Sequence, residues 1–478
     1  MAKVKMTVMK AEVDVIILAA GRGSRMRAAA PKPLLPLSGR ALVHYVLDAV
    51  AAIRPRRVVM VIPSARQSPD DANALRAVKH HKLPRIVFAE QPNPRGTADA
   101  AQCGLGALPN AKGGAAMIIC ADSPLITAPT LRKLSAAANK NMLALLSANT
   151  SQPKGYGRIV RDDNNRVRAI VEEKDADAKT RAIGEIYGGA LAAPLSWLKI
   201  QVPKTDARNK ARERYLTDLA KAAAESGFAV KCITGEAEEA FGINTPADLA
   251  KAEALMRGRR AEVLMRRGVR LADPSRLDIR GEVRGGAGAF VDANVLFSGR
   301  VFIGRDCVIG ANCVISDCKI GDNARIEPFC HLHSAVIGRG CVVGPFARLR
   351  PQTTMAEGAN VGSFVEVKNS TLRANAKAGH LAYIGDAIVG KNANIGAGAI
   401  TCNYDGSQKH QTIIGDGAFV GSGVELIAPV NIGKGAYIAA GSTITRDAKA
   451  GALTVARCRQ KTRRLPTKSR KAKTGGIS

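Results

Sequence analysis

Apolar positions along the chain follow two different rhythms. In the first quarter they gather in short runs, Asp14 to Ala20, Val58 to Ile62, Ile86 to Ala89 and Ala116 to Cys120, separated by amphipathic stretches. Runs of that length between turn residues predict buried strands alternating with helices, an α/β arrangement around a parallel sheet. From about Val301 the rhythm changes. An aliphatic residue recurs every six positions, usually followed by glycine, with a small residue four positions after it, as in Ile303-Gly304-Arg305-Asp306-Cys307, Ile309-Gly310-Ala311-Asn312-Cys313 and Ile320-Gly321-Asp322-Asn323-Ala324. The register continues through Val343-Gly344, Val361-Gly362, Ile384-Gly385, Val389-Gly390, Ile395-Gly396, Ile414-Gly415, Val420-Gly421 and Ile432-Gly433. Six residues suit one short strand plus a tight turn, and three such units close a triangular coil with the aliphatic residue inside. Cys307, Cys313 and Cys341 then occupy the small inward position and are expected to pack as buried hydrophobes.

One stretch breaks the period. From Thr401 through His410 the segment is polar and aromatic, so it is expected to leave the coil as a loop, the kind of place where a rigid scaffold carries binding groups. Between the two regimes, Pro246 to Arg267 is rich in Ala, Leu, Lys and Arg behind a Thr-Pro start and predicts one long helix. The expected organisation is therefore an α/β domain over 1–245, a linker helix over 246–270, a β-helix over 271–456 and a basic tail over 457–478.

Composition fits two cores: 478 residues, 46% hydrophobic, are more than a single core usually holds. Only 4% are aromatic against 47 glycines, so small and β-branched side chains must fill the coil. The net charge of +31 points to anionic partners. Its two densest runs, Arg257 to Arg270 and the tail from Arg457 to Lys473, read as a solvated helix face and a disordered tail, and with no nucleic-acid-binding signature beside them no nucleic acid is expected. Ten scattered cysteines without a paired framework argue against a zinc site or disulfides and for a reducing, cytoplasmic location. The apolar stretch Val13 to Ala20 is too short to span a bilayer, so no membrane insertion is expected. His331 and His333 read as surface or turn residues.

Upstream of the loop, Arg348-Leu349-Arg350-Pro351, Glu366-Val367-Lys368 and Gly379-His380-Leu381-Ala382-Tyr383 put basic and titratable groups on successive coils. The run from Lys377-Ala378-Gly379-His380 through Asn394-Ile395-Gly396-Ala397-Gly398 to Thr401-Cys402-Asn403-Tyr404-Asp405-Gly406 resembles the acetyltransferase half of the bifunctional bacterial N-acetylglucosamine-1-phosphate uridyltransferase / glucosamine-1-phosphate N-acetyltransferase family. The resemblance implies a left-handed parallel β-helix and a homotrimer whose adjacent chains share each acetyl-transfer site. It makes His380 the general base that deprotonates the sugar amine, a task suited to imidazole. It assigns Arg350 and Lys368 to the sugar phosphate, Tyr383 and Asn394 to the sugar, and Ala397, Asn403, Tyr404, Ser422, Ala440 and Arg457 to acetyl-CoA.

In the first half, Leu18-Ala19-Ala20-Gly21, Arg25-Met26 and Pro31-Lys32 resemble the sugar-phosphate nucleotidyltransferase signature, on a Rossmann-like sheet. Ala89-Glu90-Gln91, Gly96-Thr97, Asp122-Ser123-Pro124-Leu125, Gly155-Tyr156-Gly157-Arg158-Ile159, Val171-Glu172-Glu173-Lys174-Asp175 and Gly242-Ile243-Asn244-Thr245 follow in the family's order. The resemblance implies that Asp122 and Asn244 ligate Mg²⁺ and that Arg25 and Lys32 neutralise the UTP triphosphate. Leu18, Ala19, Ala20 and Gly21 would line the nucleotide site, Gln91, Gly96 and Thr97 would read the uracil, and Gly157, Glu172 and Asn244 would hold the sugar. Two departures stand out. Cys120-Ala121-Asp122 replaces the family's Tyr-Gly-Asp, and Tyr187, in Glu185-Ile186-Tyr187-Gly188-Gly189, replaces a sugar-contacting asparagine. The family's Gly-Glu-Tyr-Tyr is also altered near Arg212 to Asp218.

The whole pattern implies an enzyme that acetylates glucosamine-1-phosphate with acetyl-CoA and then joins N-acetylglucosamine-1-phosphate to UTP. Its product would be UDP-N-acetylglucosamine, a precursor of peptidoglycan and lipopolysaccharide. Two other readings stand beside it: an acetyltransferase whose first half is inactive or takes another sugar phosphate, and a β-helix that serves only as a trimerisation scaffold.

Overall fold

The computed structural model describes residues 13–21, 23–83, 85–109 and 114–463. At the middle of its first sheet, Val13–Leu18 lies parallel to Arg57–Pro63 on one side and to Ala115–Cys120 on the other, with Ile86–Gln91 parallel beyond Arg57–Pro63. Glu185–Pro194 runs antiparallel to Ala115–Cys120 and to Leu143–Asn149, and Val230–Thr234 completes that edge in parallel. The strand signals hold with small shifts at the ends, Ala19 and Ala20 falling just past the first strand. Its continuous apolar sequence follows from helices covering both faces: Val15, Ile16 and Ile17 are fully buried, in two separate clusters. The one charge in that strand, Asp14, is also buried. Burial alone would raise its pKa, but Arg56 and Arg57 each donate two hydrogen bonds at 2.6–3.0 Å and hold the carboxyl below the usual range.

From Phe290 onward the six-residue rhythm becomes coils. Most ladder partners are 17 or 18 residues apart, as in Phe290 with Val308 and Val308 with Arg325, so a regular coil holds three repeats and stacks in parallel on the next; across the excursion the spacing widens to 25, as in Asn394 with Phe419. The coils form the left-handed parallel β-helix that the repeat implies, with one sheet of 11 strands and a second, of 17 strands, folded over the other two faces. Cys307, Cys313 and Cys341 are fully buried, as expected, and each thiol lies 3.0–3.2 Å from a carbonyl oxygen of the following coil. Corners are turned in the left-handed region by Asp306, Asn312, Asn323, Asn375 and Asn392, residue types that tolerate it. His331 and His333 lie in a strand with their side chains outward.

Two expectations need correction. The loop does not begin at Thr401: Ile400–Cys402 is a strand in full register with Glu425–Ile427. Thr401 keeps the inward position because its hydroxyl bonds both the N–H and the carbonyl of Gly385, at 2.7 and 3.0 Å. The arginines around residue 260 are also not uniformly solvated. On the helix Pro246–Arg266, Arg259 donates to Glu238 at 2.9 Å and to the Leu125 carbonyl at 3.0 Å, and Arg260 to the Ser38 carbonyl and the Tyr45 hydroxyl at 3.1 and 2.9 Å. Carbonyls and acids around the helix draw these guanidiniums inward, where their donors are satisfied.

The chain divides into two compact units, one running through Val263 and including Leu277–Gly281, the other holding Leu264–Arg276 and the chain from Glu282. Among the described residues no helix is long and apolar enough to cross a membrane. Residues 464–478 of the basic tail lie outside the described residues.

Candidate functional site

In the first unit, the carboxyl ends of Val13–Leu18 and Ala115–Cys120 open onto a cavity of about 410 Å³, the position where open α/β sheets place ligands. Leu18, Ala19, Ala20, Gly21, Arg25, Lys32, Gln91, Gly96, Thr97, Asp122 and Asn244 all line it, so the nucleotide and metal candidates converge. Lys32 is ion-paired to Asp122 and donates to Asn244 Oδ1 at 2.9 Å, and Arg25 reaches the same oxygen at 3.1 Å. Asn244 is held by the start of the next helix, where the Asp248 carboxylate accepts from the N–H groups of Asn244 and Thr245 at 3.0 and 2.8 Å. Two oxygens from segments more than 100 residues apart thus meet around one cation. A site of that kind fits Mg²⁺, which takes one or two protein oxygens and completes its shell with water and substrate phosphate. Among the described residues no three His, Cys, Asp or Glu side chains cluster as a closed metal cage.

Gln91 has a fixed polarity. Its amide nitrogen donates to buried Asp99 at 2.8 Å and to the Gly96 carbonyl at 3.3 Å, which leaves Oε1 as the atom available to a ligand. Gly96 is required where it stands. With φ at 118°, a Cβ there would lie 2.5 Å from the Arg214 backbone.

Of the sugar candidates, Asn244 lines the cavity, whereas Gly157, Glu172 and Tyr187 are not part of that lining; Ala121, one of the departures from the family motif, is. The two groups are joined by one dipeptide: the Leu216 N–H donates to Thr97 Oγ1 at 3.0 Å and the Thr217 hydroxyl to Glu172 at 2.9 Å. Burial raises the pKa of Glu172, as do the nearby carboxylates Asp218, Asp175 and Glu213. Burial likewise pushes the Tyr187 phenol well above its ordinary value, reinforced by Cys120 and Glu172, and brings the Cys120 thiol to about 12.

In the β-helix the candidates fall on two corners of the prism with Tyr383–Gly385 between them. On the first corner, Ser363 pairs with His380 and Lys377 with Asn394, and Gly423 and Gly441 donate to Ala397 and Ser422 of the preceding coils. His380, Ala397, Ser422 and Ala440 therefore take equivalent places on four consecutive coils, at the ~4.8 Å spacing of adjacent strands. His380 is exposed, Asn394 half-buried on the same sheet, and Arg457 follows the last strand, Leu453–Thr454.

On the second corner, Arg350 and Lys368 occupy equivalent positions of consecutive coils. Arg350 donates to Glu366 at 2.9 Å, and Arg348 comes within 3.6 Å of the same carboxylate. The Lys409 ammonium beside Lys368 holds its pKa below the usual lysine range, with a smaller push from Arg350. Lys409 arrives on the excursion, a hairpin closed by pairing of Tyr404 with Lys409 and by a 2.6 Å contact between Asp405 and His410. Hydrogen bonds from the Gln408 and Ser407 N–H groups and from His410 keep the Asp405 carboxyl far below its ordinary pKa. Tyr404 is exposed, and its hydroxyl donates to the Gly406 carbonyl at 2.6 Å.

Asn403, by contrast, is buried. Tyr383 and Asn403 meet over Gly385, where a Cβ would lie 2.5 Å from the Tyr383 hydroxyl and 2.8 Å from Asn403 Nδ2. Lys409 and Asp386, which touch these candidates, were not picked out by motif. A third cation in the loop that breaks the repeat was the available signal for Lys409.

Residues 15–185 match the model of a MobA-like NTP transferase domain, 279–363 that of a GMPPB C-terminal domain, and 411–446 that of a bacterial transferase hexapeptide of six repeats. Several relatives extend along nearly the whole chain, each described as a bifunctional protein GlmU. The one from Aromatoleum aromaticum is 45% identical over 450 residues, 94% of this chain and 96% of its own length. Those from Methylibium petroleiphilum and Azoarcus sp. are 44% and 43% identical, each over 94% of this chain and 97% of their own.

Proposed function

The chain belongs to the bifunctional GlmU family, and on that premise we propose how its two sites divide the work. It is an acetyltransferase and uridylyltransferase: glucosamine-1-phosphate is acetylated by acetyl-CoA, and N-acetylglucosamine-1-phosphate then takes uridylyl from UTP, giving UDP-N-acetylglucosamine and pyrophosphate. The observation that carries the reading of the sites is the convergence, in each half, of cations with groups aimed at one ligand.

In the β-helix, Arg350, Lys368 and Lys409 hold the sugar phosphate, which relieves their mutual repulsion. His380 removes a proton from the sugar amine as its nitrogen bonds to the thioester carbonyl; the carbon–sulfur bond breaks and the thiol of coenzyme A leaves. Tyr383 and Asn394 position the sugar, while Ala397, Ser422 and Ala440, with Asn403, Tyr404 and Arg457, hold acetyl-CoA. The chain acts as a homotrimer. An exposed stack of Phe329, Phe346 and Phe364, ring centroids 5.0 and 5.2 Å apart, supports burial of this corner against a second copy.

In the sheet domain, Gln91 Oε1 accepts the imide N–H of uracil, and Arg25 and Lys32 neutralise the triphosphate. Asp122 and Asn244 hold Mg²⁺, which when bound adds charge stabilisation at the phosphates. The sugar phosphate is already ionised, so it attacks the α-phosphorus in line without a protein base. Ten free cysteines suit a cytoplasmic location. To test both activities, the purified protein is incubated with glucosamine-1-phosphate, acetyl-CoA, UTP and Mg²⁺, each omitted in turn. Mass spectrometry should find UDP-N-acetylglucosamine only in the complete mixture, and an acetylated sugar phosphate when UTP or Mg²⁺ is missing. Failure to acetylate would overturn the reading of the β-helix, and failure to form the UDP-sugar from supplied N-acetylglucosamine-1-phosphate that of the sheet domain.

A further inference from the structure

At the second corner of the prism, one residue per coil forms a vertical file: Asn369, Asp386 and Asn403, each 17 positions after the last. Asp386 sits between two amides, and the Nδ2 groups of Asn369 and Asn403 each donate to a different oxygen of its carboxylate. Asp386 and Asn403 are both buried. An ionised carboxylate accepts hydrogen bonds and donates none, so both amides must turn their nitrogen toward it. For Asn403 this choice has a consequence: with Nδ2 drawn to Asp386, Oδ1 becomes the atom left for a ligand, beside Tyr383 and at the root of the hairpin that carries Lys409.

We propose that Asp386 is a positioning residue for acetyl transfer: it fixes the flip of the Asn403 amide so that Asn403 Oδ1 accepts an N–H of acetyl-CoA. The inference rests on the acetyl-transfer reading above and adds a polarity to it. A free asparagine could present either end of its amide, and the wrong end would set a donor against a donor. Asp386 removes that ambiguity. Because donor and carboxylate are buried together, an inverted amide would leave a buried polar atom without its partner.

The test uses the full-length protein and a polarity swap. In Asp386→Asn the new amide can still accept from Asn369, but its nitrogen faces the Asn403 nitrogen, so Asn403 must invert. In Asn403→Asp two carboxylates face each other. The double variant restores complementarity with the charges exchanged: the amide nitrogen now at 386 donates to the carboxylate now at 403, whose second oxygen again serves as the acceptor. Each single variant should lower kcat/KM for acetyl-CoA by about ten- to a hundredfold, chiefly through KM. The double variant should recover to within a few-fold of wild type, with uridylyl transfer unchanged throughout.

Melting temperature and light scattering are recorded for all four proteins. A double variant that folds and assembles like wild type but is no better than the single variants would overturn the proposal. So would Asp386→Asn with wild-type kinetics. If wild type itself transfers no acetyl group, the underlying reading has failed instead, and if Asp386→Asn does not fold, the comparison of Asn403→Asp with the double variant still decides.

Discussion

The two halves assemble charged sites in opposite ways. In the sheet domain, Lys32, Asp122 and Asn244 come from three distant segments; Lys32 and Asp122 neutralise each other, and the Asn244 amide oxygen accepts a further hydrogen bond from the ammonium. In the β-helix, Arg350, Lys368 and Lys409 crowd together with Glu366 and Asp386 offsetting only part of their charge, and the Lys368 pKa falls as a result. The difference teaches something about what a ligand must do at each place. On the proposed reading, the first site has to open an internal ion pair to admit a metal and triphosphate. The second gathers like charges that a bound anion would relieve: the ladder between consecutive coils fixes the backbones that carry Arg350 and Lys368, and the hairpin brings Lys409 beside them.

If the two sites are as independent as this contrast implies, the largest expected effect is also the most selective. His380→Ala should lower acetyl transfer by at least ~10²-fold, the scale of a lost general base, and leave uridylyl transfer at the wild-type rate. Parallel loss of both activities in a folded protein would show that the halves are coupled. Next in size, Gly385→Ala should disturb the β-helix site alone. Its methyl group would press on Tyr383 and Asn403, so acetyl transfer should fall about tenfold, with destabilisation of about 1–3 kcal/mol on thermal melting, the range for overpacking.

A smaller change probes the sugar end of the sheet-domain site, where the chain departs from its family. Tyr187→Asn replaces a single hydroxyl with a group that both donates and accepts, and should sharpen selection among N-acetylglucosamine-1-phosphate, glucosamine-1-phosphate and glucose-1-phosphate by a few-fold. Equal preferences in wild type and variant would mean that a neighbour such as Glu172 already supplies the contact.

The smallest effect tests the repulsion itself. Neighbouring cations hold the Lys368 pKa below the usual lysine range, and a bound sugar phosphate should raise it again. Through this lysine, binding should therefore take up a fraction of a proton in the alkaline window between the two values. Calorimetry of glucosamine-1-phosphate binding in buffers of different ionisation enthalpy reads this directly, and uptake that persists in Lys409→Met would refute Lys409 as the cause.

Much of this was written in one dimension. The six-residue period determined the coil, because only a strand and turn of that length can return an aliphatic residue to the same interior, and the run of motifs named most groups that line the sheet-domain cavity. Local sequence also determined the corner residues and the small inward cysteines. What it could not determine were contacts made across coils or across the sheet. Thr401 looked like the start of a loop, yet it stays inside because its hydroxyl finds both backbone groups of Gly385. Arg259 and Arg260 looked solvated, yet carbonyls from distant segments draw them inward. Lys409 and Asp386 carried no motif, and their meaning lies in what stands beside them, Lys368 in one case and the amides of Asn369 and Asn403 in the other. Periodicity is a property of the chain and can be read along it. The polarity of a buried amide or the strength of a charge depends on neighbours that only the folded structure brings within reach.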